Sequence, residues 1–116
     1  MYDTRVRGGT VYTPTGPITA DVLIEGEQIA GLVAPDYEAD AREEIDASGK
    51  VVLPGIVDLH AHTRTPGLSH KEDFLTASQA AANGGITTFV DMPNVEPPTD
   101  SAELLIEKRK IAERDC

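Results

Sequence analysis

A chain of 116 residues is enough for one modest domain, with a thin margin for burying a core. Twenty acidic against ten basic residues leave a formal charge of -10, which argues against duplex nucleic acid or an anionic membrane as a partner, since both are held by clustered Lys and Arg. The single cysteine, Cys116, allows no intrachain disulfide, and no apolar run nears the roughly 20 residues that cross a bilayer, so a cytoplasmic setting is expected.

The first fifty residues read as short strands. Thr4 to Arg7 and Thr10 to Tyr12 flank the turn signal Gly8-Gly9, and Pro14 and Gly16-Pro17 break the chain again. Asp21–Glu25 and Gln28–Val33 alternate around Gly26-Glu27, which predicts a hairpin. Asp36 to Asp46 carries six acids against one arginine and reads as a solvated loop, with no glycine placed for a calcium site. Glu44 to Ala47 is expected to be a strand, followed by a turn at Ser48-Gly49-Lys50.

The next stretch, Val51 to Arg64, begins apolar and β-branched and ends in Asp58-Leu59-His60-Ala61-His62-Thr63-Arg64. Pro54-Gly55 interrupts it, and a strand is expected over Ile56–His60. Side chains two apart on a strand share a face, so His60 and His62 would lean toward one point, with Asp58 behind them. Imidazole binds zinc at about 2.0–2.1 Å, and two such rings can share one ion. A helix is expected over Lys71–Asn83, with Phe74, Ala77, Ser78, Ala81 and Ala82 on one face and Gly84-Gly85 as its stop. Ile86 to Met92 reads as a strand that Pro93 ends, followed by Asn94. A second helix should start at a capping box formed by Asp100-Ser101-Ala102-Glu103 and bury Ala102, Leu105, Ile106 and Ala112. Lys108-Arg109-Lys110 reads as a solvated face. Strand, helix, strand and helix in that order predict βαβ units and a parallel sheet.

Asp58 to Gly67, Lys71-Glu72-Asp73, Ala80 to Thr88 and Met92-Pro93-Asn94 together resemble the start of a dihydroorotase, a cyclic amidohydrolase of pyrimidine synthesis. The strong match covers about Val51 to Thr99. The resemblance implies an α/β fold: residues 1–53 as the amino-terminal part of a β-sandwich, and 54–116 as the first two β/α units of a truncated TIM barrel. A whole barrel of eight such units needs about 250 residues.

By the same resemblance, His60 and His62 are metal ligands, of one or two zinc ions. Asp58 supports a ligand through its outer ring nitrogen. Arg64 and Asn94 bind the free carboxylate of the small-molecule substrate. Thr65 departs from the acidic residue common between that Arg and Pro-Gly. No catalytic residue is expected in this chain, which lacks the bridging carboxylate, two further histidines and a catalytic aspartate. It should therefore be inactive alone, and in full length form a homo-oligomer or complex. Two alternatives stand beside dihydroorotase: a hydantoinase or allantoinase, and an inactive barrel homologue that serves as an assembly partner.

Overall fold

Turns punctuate the first half of the chain so often that no strand there exceeds six residues. The computed structural model describes all 116 residues, in two compact units, Met1–Pro54 and Gly55–Cys116. No helix is long and apolar enough to cross a membrane.

The first unit holds β1 (Tyr2–Arg7), β2 (Thr10–Thr13), β3 (Gly16–Thr19), β4 (Asp21–Glu25), β5 (Gln28–Val33), β6 (Ala41–Asp46) and β7 (Val51–Val52). They form a four-stranded sheet in the order β5-β4-β1-β6 and a three-stranded sheet in the order β3-β2-β7. Val11, Ala20 and Val22 are the buried centre, joined by Val6, Ile24 and Val52, so both sheets contribute to one sandwich core. Burying a valine of this kind is worth about 1.5–3 kcal/mol.

Alternation fixes what lies on the opposite face of the larger sheet. Arg5 is registered against Leu23, and Asp21 lies two residues before Leu23 on the same side. Arg5 grips Asp21 with two N–H bonds of 2.9 and 2.7 Å, both side chains being buried. The guanidinium also donates to the carbonyls of Ala39 and Pro35, which ties the 34–40 segment over this face.

The β4–β5 hairpin forms as expected, with Glu25 opposite Gln28. Two expectations fail here. Gly16-Pro17 is not a break: it opens β3, an edge strand, where Pro17 faces Tyr12 and its missing N–H costs nothing. The acidic segment is a loop only as far as Asp40, because Ala41 to Asp46 runs parallel to β1 as the other edge strand. Its charges are carried on the rim, where Arg42 meets Asp3 at 2.9 Å and Arg7 meets Glu44 at 3.1 Å.

The second unit runs β8 (Ile56–Ala61), α1 (Phe74–Asn83), β9 (Ile86–Asp91) and α2 (Ala102–Asp115). β8 and β9 pair in parallel, and the ladder continues past the strand end where the Met92 N–H donates to Ala61 O at 2.9 Å. The fold class is therefore the expected one: α/β, part of a sandwich followed by β/α units that pair as in an opening TIM barrel.

α1 begins at Phe74 rather than Lys71. Asp73 is extended and caps it, accepting from the Thr76 N–H at 2.8 Å in a reciprocal capping box. Those hydrogen bonds, the backbone one first, hold the Asp73 carboxyl below the ordinary carboxylate value. Gly85, at φ +78, makes the left-handed stop.

α2 is capped by Ser101, whose hydroxyl accepts from Leu104 N–H. That choice puts Leu104, not Glu103, at the third helical position, so the expected capping box does not form. The inward stripe is Leu104, Lys108, Ile111, Ala112 and Asp115, whereas Leu105 and Ile106 are exposed by 60% and 54%. Of the four residues expected on the buried face, Ala112 alone lies on it.

Candidate metal and substrate site

The end of β8 delivers the paired histidines. His60 lies in the strand and His62 directly follows it; their rings face edge to face with centroids 5.1 Å apart, inclined at 65°. His60 is exposed and His62 half-buried. The Nδ1 of His62 is 2.9 Å from Asn94 Oδ1, an atom that only accepts, so the ring proton sits on Nδ1. In the neutral ring this leaves the Nε2 lone pair free. The Asn94 amide nitrogen is likewise left free to donate. Asp58 accepts from the backbone N–H of His60 at 2.9 Å, and it does not reach a ring nitrogen.

Arg64 is the only non-glycine residue with positive φ, at +62°. A side chain in left-handed backbone costs roughly 1–2 kcal/mol, so surrounding contacts must impose it. They are visible on both sides. Thr63 is fully buried, Thr65 is nearly so, and the Leu68 N–H donates to Arg64 O at 3.0 Å. Gly67, at φ +82, brings the loop so close to the next one that a β-carbon there would sit 2.0 Å from Glu96 O. The Arg64 guanidinium itself takes part in none of the ion pairs of the chain.

Beneath this corner lies a group that the sequence reading passed over. Asp91, the last residue of β9, accepts from the Thr63 N–H at 2.8 Å and from the Thr63 hydroxyl at 2.9 Å. Lys108 reaches it from α2, with Nζ 2.5 Å from Oδ2 and 3.0 Å from Met92 O. Lys108 is 6% exposed, not part of a solvated basic face. The available signal was its spacing: four residues after Leu104 and four before Ala112, it lies on the inward stripe of the helix.

A cavity of about 280 Å³ lies along α1, walled by Ala77, Ala80, Ala81, Ile86 and Phe89 and reaching Asp58 and His62. His60, Arg64 and Asn94 do not line it, so it is not where those three would meet a ligand.

Zinc takes nitrogen, sulfur or carboxylate ligands, three from the protein at a catalytic site and four at a structural one. His60 and His62 are of the right chemistry for two of these positions, with rings 5.1 Å apart and a free Nε2 on His62. No cluster of three or more His, Cys, Asp or Glu suited to an ion occurs in the chain.

A family model described as dihydro-orotase-like matches residues 49–114. The chain belongs to that family. A dihydroorotase of Lactobacillus johnsonii is 51% identical over 102 residues, which are 88% of this chain and 23% of that protein. Among solved structures, L-hydantoinase from Arthrobacter aurescens superposes with a TM-score of 0.90 at 36% identity, over 97% of this chain and 25% of that one. N-acyl-D-glutamate deacylase from Bordetella bronchiseptica, solved with zinc and a phosphonate mimic of the tetrahedral intermediate, gives 0.61 at 29% identity, over 81% and 19%. The chain thus spans about a quarter of the length of the dihydroorotase and hydantoinase relatives, both of which are cyclic amidohydrolases.

Proposed function

We propose that the complete protein is a zinc-dependent dihydroorotase of the cytoplasm, which interconverts dihydroorotate and carbamoyl aspartate in pyrimidine biosynthesis. This chain is its amino-terminal part and is inactive alone. The reading rests on one observation above the others: Arg64 is held in left-handed backbone beside the histidine pair, with a guanidinium that no protein carboxylate occupies. A guanidinium in that position can take a planar carboxylate through two parallel N–H bonds. Asn94 anchors His62 through its oxygen and donates to the same carboxylate through its nitrogen.

His60 and His62 are proposed as two of the ligands of one zinc ion, a reading supported by the zinc-containing relative. Zinc bound there supplies an activated water and polarises the carbonyl under attack. The remaining ligands, a second ion and the catalytic acid-base group lie outside these residues. Exposed Ile56, Val57 and Leu59 on β8 fit a role as interior or contact surface within a larger barrel and its oligomer or complex.

The likeness to hydantoinases favours a second reading, in which the substrate is an uncharged cyclic diamide. Arg64→Met in the full-length protein separates the two. The expected result is a loss of about a hundredfold or more in kcat/KM for dihydroorotate, with activity on hydantoin retained. Equal loss on both substrates would overturn the carboxylate role. A full-length protein that purifies without zinc would instead support the inactive assembly partner.

A further inference from the structure

The buried Lys108–Asp91 pair lies outside the proposed ligand-binding atoms, yet everything it holds leads to them. Lys108 spends a buried charge on one carboxylate, and that carboxylate spends both oxygens on Thr63, the residue between His62 and Arg64. A charge in such a place is costly unless it is paired, and a chain can fill the inward stripe of a helix with an apolar residue instead. The pair therefore secures something other than burial.

We propose that Lys108 is a positioning residue for the substrate corner: through Asp91 it fixes Thr63, and thereby keeps Arg64 in the left-handed backbone that presents its guanidinium. Left-handed backbone at a residue with a side chain persists only where neighbours over-determine it. On the carboxyl side, the turn from Arg64 to Leu68 and the packing at Gly67 do so. On the amino side, the only hydrogen bonds that hold Thr63 by its N–H or side chain are those to Asp91. The Met92 carbonyl, which also accepts from Lys108, belongs to the residue whose N–H continues the β8–β9 ladder, so α2 grips the strand end and the corner with one ammonium. The consequence for the substrate rests on the dihydroorotase reading; the clamp itself does not.

The test uses the full-length protein, with Lys108→Met and Lys108→Arg compared with the parent. With Lys108→Met the KM for dihydroorotate should rise about five- to tenfold while kcat stays within about twofold, because a misplaced guanidinium weakens binding more than it alters the reacting atoms. Hydrogen exchange in the peptide covering Thr63 and Arg64 should quicken, with β9 unchanged. Lys108→Arg, which restores the charge, should recover most of both effects. A fall in kcat at unchanged KM, with exchange at Thr63 as in the parent, would overturn the proposal and leave Lys108 a role in folding alone. Should Lys108→Met not fold, Asp91→Asn keeps an acceptor for the Thr63 N–H but removes the charge that pairs with Lys108 and puts an NH2 donor against its ammonium; the same rise in KM and exchange is expected, and its absence would overturn the proposal. If the parent protein does not turn over dihydroorotate, the functional reading fails by itself, and the exchange comparison still decides whether Lys108 holds the corner.

Discussion

Replacing Arg64 by glycine should leave stability nearly unchanged while removing the proposed carboxylate grip; the first effect is sized from the backbone and the second from the hydrogen bonds proposed to be lost. Arg64 stands at φ +62, where a side chain costs roughly 1–2 kcal/mol that glycine does not incur. Glycine in turn loses more freedom on folding, about 0.5–1 kcal/mol. Arg64 contributes no ion pair whose loss would add to this. The net change should lie within about 1 kcal/mol of zero, and glycine is as apt to raise stability as to lower it. Binding is another matter. Two N–H bonds to a carboxylate are worth about 1.5–3 kcal/mol each, so their loss corresponds to about two to four powers of ten in kcat/KM. The assay is a urea titration of full-length Arg64→Gly beside its kcat/KM for dihydroorotate. Destabilisation by more than about 2 kcal/mol would mean that the arginine side chain supports the fold, and that the reasoning from its unpaired state is wrong. A kcat/KM within about threefold of the parent would remove the carboxylate role as well.

Asp21→Ala strands the Arg5 guanidinium, which is 6% exposed, without its carboxylate, and also frees the Gly8 N–H bonded at 3.1 Å. Breaking one side of such a buried pair should cost about 3–5 kcal/mol, read as a lowered denaturation midpoint; a loss below about 1 kcal/mol would show that solvent reaches the pair on that face of the sheet. Asp73 gives a pH-dependent contribution: its folded value is depressed by the Thr76 cap bonds, so the stabilisation is complete above the ordinary aspartate range near about 4 and is lost as pH falls through the lower folded value. Asp73→Asn keeps an acceptor for the cap but cannot titrate, so the difference in melting temperature between parent and variant should shrink as pH drops from 5 toward 3; a difference constant across that window would contradict the linkage.

What the sequence discloses here, and what it conceals, divides along the range of the interaction. His60 and His62 lie two residues apart at the end of β8, so the 5.1 Å approach of their rings needed only the period of a strand. The Gln28 return strand and the Gly85 stop are equally local. Errors arose where a residue's role depends on a partner distant in sequence. Pro17 reads as a breaker because its tolerance follows from β3 lying at an edge, a property of the sheet order and not of the peptide. Ala41 to Glu43 read as loop, ahead of the strand expected from Glu44, because the start of β6 takes its stability from β1, more than thirty residues away. Lys108 is the sharpest case. A lysine that opens a run of three basic residues is counted as solvated, and the carboxylate that makes its burial tolerable sits at the far end of β9, the strand before its own helix. Local pattern therefore places the candidate ligands, while the groups that hold them in register must be sought among the charged residues that fall, against expectation, on an apolar stripe.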